Sequence, residues 1–228
     1  MSQIVLTTTW FFPNVNWDNI WNATKETLYM TSVSLLLTFI FGIMLGLILF
    51  LTDRGNLWEN KIIQGVTAAF VNVFRSIPFI ILIVLLIPFT TFIVGSMFGP
   101  SAALPSLVIG AAPFYARMVQ IALREIDKGV IEASKSMGAS NMQIIFKVLL
   151  PESMPALISA ITVTAIALVG FTAMAGVIGA GGLGDLAFRH GFQRSNNEVT
   201  FVATVVVLLI VFIMQIIGDR LTNILDKR

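Results

Sequence analysis

The feature that most constrains the fold is a set of apolar stretches, each long enough to cross a lipid bilayer as a helix. A helix that spans a hydrocarbon core of ~30 Å needs about 20 mostly apolar residues. Five stretches meet this requirement, at residues 28–51, 63–87, 92–119, 156–177 and 201–218. They predict an all-α membrane protein with five transmembrane helices.

The composition agrees with a membrane environment and argues against several other classes of protein. Charged residues make up 11% of the chain, against about 25% in soluble domains. The chain has no cysteine, so a disulfide framework and a thiolate metal site are excluded. The net charge of +2 is not gathered into a basic stripe, and we therefore expect no nucleic-acid partner.

Lysine and arginine are distributed unevenly among the segments that connect the spans. Residues 52–62, 117–155 and 219–228 hold ten of them, whereas residues 1–27 and 178–200 hold three. Because basic loops remain in the cytoplasm, the sequence predicts an N-terminus outside the cell and a C-terminus in the cytoplasm.

The predicted organisation has three parts. An N-terminal extracytoplasmic segment covers residues 1–27, a membrane domain covers 28–221 and a cytoplasmic tail covers 222–228. The first segment lacks the basic and apolar regions of a signal peptide. It carries Trp10, Trp17 and Trp21, and tryptophan favours the headgroup level of a membrane.

The polar segment at 127–151 interrupts this apolar chain and carries its own helix signals. Asp127 is suited to cap a helix over residues 128–137, and Gly138 follows where a left-handed residue often ends a helix. Ser140 and Gln143 have the spacing of a capping box that opens a second helix. Pro151 is expected to stop that helix, so the segment is predicted to fold into two short helices.

The first of these helices presents apolar side chains beside charged ones. Val130, Ile131 and Met137 are expected to be exposed, which suits insertion into a groove on a partner protein. The same pattern suits an interfacial helix that lies on the bilayer. The residues alone do not decide between these two alternatives.

The spacing of this segment resembles the EAA loop of ATP-binding-cassette (ABC) importer permeases. The matching positions are Glu132, Ala133, Ser134, Gly138, Val148, Leu150 and Pro151. Ser134 replaces the second alanine of the pattern, and Val148 replaces its usual isoleucine. Residues 74–79, 110–119 and 176–184 are similar to the methionine-import subfamily, and the similarity extends from about Trp21 to the C-terminus.

The resemblance implies a type I ABC importer fold in a bacterial cytoplasmic membrane, with the 127–151 loop as a cytoplasmic coupling-helix loop. It implies that the chain pairs with a second copy, with two ATPase subunits that hold ATP and Mg²⁺, and with an extracytoplasmic substrate-binding lipoprotein. The substrates implied are methionine and related amino acids, with an importer for a different amino acid or small analogue as the alternative, and no cofactor or catalytic residue is expected in this chain. The residues implied in ATPase coupling are Glu132, Ala133, Ser134, Met137, Gly138, Leu150 and Pro151.

Residues of the transport pathway are less clearly marked. The candidates are Arg75, Pro78, Pro113, Thr172, Met174, Gly181 and Gly182. The two prolines lie where they would break helices. Arg75 is expected to stabilise a broken helix, to pair with a substrate carboxylate, or to extend its side chain to the membrane interface.

The remaining motifs separate the candidate functions. The chain lacks a phosphate-binding loop of the GxxxxGK[ST] type, and the GxGxxG pattern at 179–184 follows a helix-length run, so it predicts a tight turn rather than a dinucleotide site. An ion-coupled carrier would carry acidic residues within its spans, and the five predicted spans have none. A membrane scaffold that only recruits a cytoplasmic protein remains an alternative. The pair Gly42 and Gly46 is expected to serve packing within the chain.

Overall fold

The structure, a computed structural model, describes residues 12–226. All regular structure in that range is helical. The helices are α1 (Trp17–Leu51), α2 (Lys61–Ser76), α3 (Phe79–Leu85), α4 (Ile87–Val94), α5 (Pro100–Arg124), α6 (Lys128–Ser136), α7 (Asn141–Ile144), α8 (Leu150–Ala175), α9 (Gly182–Asp185) and α10 (Asn197–Leu225). The π-helical segments Ile145–Leu149, Gly176–Ala180 and Leu186–Phe192 continue α7, α8 and α9.

The predicted all-α membrane fold is confirmed. Among the described residues, four helical stretches are long and apolar enough to cross a membrane, and α2 with α3 forms a fifth when the broken pair counts as one span. Residues 1–11 of the predicted N-terminal segment lie outside the described range, as do residues 227 and 228 of the predicted tail.

The terminal helices are longer than the apolar runs that predicted them. The first begins at Trp17 rather than at residue 28, and the last covers Asn197–Leu225 rather than 201–218. Hydropathy marks the part of a helix that suits lipid, whereas backbone hydrogen bonds continue into polar residues on either side. The helix therefore extends beyond the apolar run wherever no proline or glycine ends it.

The second predicted span, 63–87, is broken at Pro78, as the position of that proline predicts. Helix α2 ends at Ser76, and Ile77 adopts an extended conformation with φ −81° and ψ 122°. Proline disfavours the helical conformation in the residue that precedes it, so Pro78 forces the break that its position predicts. A new helix begins at Phe79.

The third predicted span, 92–119, also has different bounds. Helix α4 ends at Val94 and is capped by Gly95, which adopts φ +80°, and the spanning helix α5 begins only at Pro100. That helix continues through Pro113 to Arg124, so the predicted break at Pro113 is wrong. Helices inside membranes tolerate proline because neighbouring groups satisfy the freed backbone carbonyl.

The second helix of the polar segment does not stop at Pro151. Helix α7, the first π segment and α8 form one helical stretch, Asn141–Ala180, in place of the predicted span at 156–177. The N–H of Leu150 bonds to the carbonyl of Ile145, five residues back. This wider turn lies directly before Pro151, whose ring would clash with the carbonyl of Lys147 in a regular α-helix.

The described chain contains two compact units. One comprises the chain through Ser34 together with Phe79–Leu107 and Ala167–Ile213, and the other comprises Leu35–Pro78, Val108–Ile166 and the chain from Met214 onward. Buried residues of the second unit form a core that includes Phe50, Tyr115, Val119, Leu123, Ile144, Ile145, Leu149 and Leu157.

Glycines in α1 allow the close packing of this second unit. A Cβ atom on Gly42 would lie 2.5 Å from Cδ1 of Tyr115, and a Cβ atom on Gly46 would lie 2.7 Å from the carbonyl oxygen of Ala116. Only glycine lets the helix backbones approach this closely. The predicted use of the Gly42 and Gly46 pair in packing within the chain is confirmed.

Candidate functional site

The polar segment begins with a capped helix. The side chain of Asp127 accepts a hydrogen bond from the backbone N–H of Gly129 at 2.7 Å, as the sequence predicts. Helix α6 then covers Lys128–Ser136, and Met137 is its C-terminal cap rather than its last residue. The cap satisfies one of the N–H groups that have no partner at a helix start, which fixes where α6 begins.

A turn at Gly138 joins α6 to the next helix. Gly138 adopts φ +80°, a conformation that glycine reaches without a steric penalty. Its N–H donates to the carbonyl of Lys135 at 2.9 Å, and the N–H of Ala139 donates to the carbonyl of Ser134 at 3.1 Å. The reciprocal capping box between Ser140 and Gln143 is present. The whole turn is therefore held by local hydrogen bonds.

One face of α6 packs on the core of the second unit. Ile131 is partly buried against that core, and Ser134 is 7% exposed. The Ser134 hydroxyl donates to the carbonyl of Val130 at 2.7 Å. The expectation that Ile131 is exposed is therefore wrong, because the side chains at 131 and 134 share the inward face of one helical turn.

The opposite face of the segment is exposed and partly apolar. Glu132, Ala133 and Gly138 are exposed, and Met137 is 81% exposed. Sequence reasoning missed Met142 and Phe146, which are 56% and 64% exposed. Their spacing of four residues after the capping box could have identified them as one helix face.

Leu150 and Pro151 close the segment at the start of α8. Leu150 is partly buried against the core of the second unit, whereas Pro151 is exposed. Ile144, Ile145 and Leu149 are buried in the same core. The segment is therefore fixed at both ends, by Ile131 in α6 and by the apolar side chains that lead into α8.

The pathway candidates of the second unit differ in exposure. Arg75 lies in the last turn of α2 and is exposed. In the part of the chain that the structure describes, its side chain has no ion pair. Pro78 is exposed directly after the break, and Pro113 is buried within α5. Their roles in transport remain predictions.

The candidates of the first unit lie on α8 and on the glycine turn that follows it. Thr172 is 1% exposed, and its hydroxyl donates to the carbonyl of Val169 at 2.7 Å. Met174 is 44% exposed. A substrate contact by Thr172 would require this buried side chain to become exposed, whereas Met174 is accessible as it stands.

The predicted turn at 179–184 contains three glycines with positive φ, namely Gly179, Gly181 and Gly182. Gly181 and Gly182 face the first helix. Glu26 accepts from the N–H of Gly182, and the Thr27 hydroxyl accepts from the N–H of Leu183. Nothing in the sequence near either segment predicts this pairing.

Comparison with known proteins gives the resemblance a firm basis. The methionine import system permease protein MetP of Bacillus subtilis is 68% identical over 218 residues, which cover 96% of this chain and 98% of that protein. The probable D-methionine transport system permease protein MetI of Pasteurella multocida is 45% identical over 212 residues, covering 93% and 98% of the two chains.

A solved structure agrees with these relatives. A chain of the MetNI methionine ABC transporter, solved in inward-facing conformations, superimposes with a TM-score of 0.90 and 45% sequence identity, covering 92% of this chain and 97% of that one. The family of binding-protein-dependent transport system inner membrane components matches residues 38–228. The chain therefore belongs to this family, and it has the type I fold of ABC importer permeases.

Proposed function

We propose that this permease moves methionine across the bacterial cytoplasmic membrane, driven by ATPase subunits that are separate proteins. The high identity to a methionine import permease over nearly the full length of both chains supports the substrate. The proposal covers both stereoisomers, because relatives are named for methionine and for D-methionine.

The observation that supports the mechanism is that the 127–151 segment has one side packed on the protein and one side exposed. Its inward face packs on the core of the second unit through Ile131, and its outward face exposes Met137 and Phe146. Exposed apolar side chains of this kind fit a groove on a partner. Because the helix is capped and fixed at both ends, a displacement imposed by the partner reaches the spanning helices rather than bending the loop.

The partners follow from this mechanism. Two copies of the chain surround the translocation pathway on a two-fold axis, and each seats its α6 in one ATPase subunit. Closure of the ATPase pair on ATP and Mg²⁺ rotates the two permease halves and alternates access between the two sides. A substrate-binding lipoprotein delivers methionine on the extracytoplasmic side.

The proposed orientation places the 127–151 segment and the C-terminus in the cytoplasm. The uneven distribution of basic residues supports this orientation, since basic loops are retained on the cytoplasmic side. The glycine turn at 179–184 then lies on the outer side, with the surface that receives the binding protein.

The proposal is tested with purified permease, ATPase and binding protein in proteoliposomes. Uptake of labelled methionine is expected to require all three proteins and ATP, and to be competed by unlabelled methionine more than by other amino acids. Competition mainly by another amino acid would overturn the substrate. ATPase that stays bound to the permease without any uptake would favour the scaffold alternative.

The coupling surface is tested by ATPase co-purification. Met137→Asp places a charge on an exposed apolar position of the segment and is expected to abolish co-purification of the ATPase. Phe192→Asp is a matched control, because Phe192 is 72% exposed and lies in the other unit. Retention of the ATPase by Met137→Asp, or equal loss in both variants, would contradict the assignment.

A further inference from the structure

A basic pocket lies beside the start of α6. It has a volume of ≈ 260 Å³, and its lining includes Arg54, Arg124 and Lys128 together with the carboxylate of Asp53. Phe50 and Ile126 add an apolar floor. All of these residues belong to the second unit.

The acidic group of the pocket is already satisfied. An oxygen of Asp53 lies 2.6 Å from a guanidinium nitrogen of Arg124, and the other accepts from the backbone N–H of Arg54 at 2.9 Å. Burial alone would raise the pKa of Asp53, but the N–H of Arg54 and the guanidinium of Arg124 outweigh it and lower that pKa. The carboxylate is therefore charged and neutralises one cation of the three.

Two cations remain for a ligand. In the part of the chain that the structure describes, neither Arg54 nor Lys128 forms an ion pair. Two other carboxylates of these loops accept backbone hydrogen bonds, Glu59 from the N–H of Gly55 and Asp127 from the N–H of Gly129. A doubly basic pocket over an apolar floor favours a ligand that has an anionic group beside hydrocarbon.

The position of the pocket along the helices identifies the kind of ligand. Asp53 and Arg54 lie two and three residues after Leu51, the last residue of α1, and Arg124 is the last residue of α5. Both helices are spanning candidates, so the pocket lies where apolar helices end. Trp58 in the same loop is 43% exposed, and tryptophan favours the headgroup level. Phosphate groups of lipids lie at that level.

We propose that this pocket binds the phosphate of an anionic phospholipid and thereby ties the loop at 52–60 to the first turn of α6. Arg54 and Lys128 contact the phosphate, and Phe50 contacts the start of the acyl region. An anionic lipid then fixes the base of the coupling segment to the membrane surface, in addition to the contacts that α6 makes with the core.

Binding is measured on the purified permease alone, in detergent, by native mass spectrometry with added phosphatidylglycerol or phosphatidylcholine. We expect selective retention of phosphatidylglycerol. The double variant Arg54→Gln/Lys128→Gln is expected to weaken that binding on the order of 30-fold. Arg54→Lys keeps the charge and is expected to keep the binding, which separates a loss of charge from a loss of fold.

The control variant Lys147→Gln/Arg220→Gln removes two exposed cations from other parts of the second unit. It is expected to bind phosphatidylglycerol like the wild type. Equal binding of the two lipids, or equal weakening in the control, would overturn the proposal. Displacement of the lipid by millimolar inorganic phosphate would identify a free anion site instead.

The ATPase provides the remaining alternative occupant. If Arg54→Gln/Lys128→Gln loses the ATPase in phosphatidylcholine nanodiscs, where no anionic lipid is present, an acidic segment of the ATPase occupies the pocket and the lipid proposal fails. Because lipid binding is measured without ATPase or substrate, its outcome is independent of whether the chain imports methionine.

Discussion

The carboxylate of Glu26 accepts a hydrogen bond from the backbone N–H of Gly182 at 2.7 Å, although the two residues are 156 positions apart. The neighbouring Thr27 hydroxyl accepts from the N–H of Leu183 at 2.9 Å. These are N–H groups at the start of α9, which have no partner within their own helix. Two consecutive side chains of α1 thus cap α9 and hold the glycine turn against α1 within the first unit.

The first prediction concerns the glycine turn. Gly182→Ala is expected to lower the midpoint of thermal unfolding in detergent by about 2–8 °C. Gly182 adopts φ +82°, and a Cβ atom there would lie 2.8 Å from the Thr27 hydroxyl oxygen. Both backbone strain and a lost contact therefore oppose the substitution.

Glu26→Gln is the control for this prediction, because glutamine keeps an oxygen that can accept from Gly182. It is expected to unfold close to the wild-type midpoint. Glu26→Leu has no acceptor, and its unfolding midpoint is expected to be lowered as in Gly182→Ala. A Gly182→Ala variant as stable as the wild type would show that the turn adapts without the contact.

The second prediction compares two helix glycines. Gly46→Ala is expected to destabilise the protein by ~1–3 kcal/mol through overpacking, because its Cβ atom would meet the backbone oxygen of Ala116, which cannot move aside. Gly65→Ala is the matched control, since its Cβ atom would have no neighbour within 4 Å. Alanine there is expected to stabilise α2 by about 0.5–1 kcal/mol.

Thermal unfolding of both variants in the same detergent checks this contrast. The midpoint of thermal unfolding is expected to fall for Gly46→Ala and to rise slightly for Gly65→Ala. Equal shifts for the two variants would mean that helix propensity, rather than the approach of α1 to α5, sets the effect.

The sequence predicted the features that depend on neighbouring residues. The cap at Asp127, the left-handed Gly138 and the capping box at Ser140 each require only a few consecutive residues, and each is present. The break before Pro78 is equally local, since proline restricts the residue that precedes it. The features at Asp127, Gly138 and Ser140 define both ends of α6 and the start of the next helix.

Features that depend on distant residues or on a shifted helix register were not predicted. The ion pair of Asp53 with Arg124 joins positions 71 apart, and no local pattern marks it. The continuation of the helix through Pro151 depends on a π turn, which hydropathy does not reveal.

The third prediction concerns the pH dependence of the Asp53 and Arg124 ion pair. The folded state lowers the pKa of Asp53. Its contribution to stability is therefore fully present above the unfolded value of about 3.9 and is lost as the pH falls through the lower folded value. The wild type is expected to unfold at a higher temperature than Asp53→Asn by a constant margin from pH 8 to pH 5.

That margin is expected to shrink only below about pH 4, which thermal unfolding of the two proteins across a pH series measures. The margin between the wild type and Arg124→Gln is expected to depend on pH in the same way, since this variant removes the other partner of the ion pair. A margin that already disappears near pH 6 would mean that a different group controls it.

The last prediction concerns the turn that ends α6. Gly138 adopts φ +80°, and a Cβ atom there would have no neighbour within 4 Å, so the cost of a substitution is set by backbone conformation alone. Asparagine tolerates this conformation, whereas a β-branched residue does not. Gly138→Asn is therefore expected to keep methionine uptake per ATP hydrolysed, and Gly138→Val is expected to lower it, because Met137 would no longer be held in its exposed position.

Proteoliposome uptake measured beside ATP hydrolysis checks the ratio. Equal ratios for the valine and asparagine variants would show that coupling does not depend on the geometry of this turn.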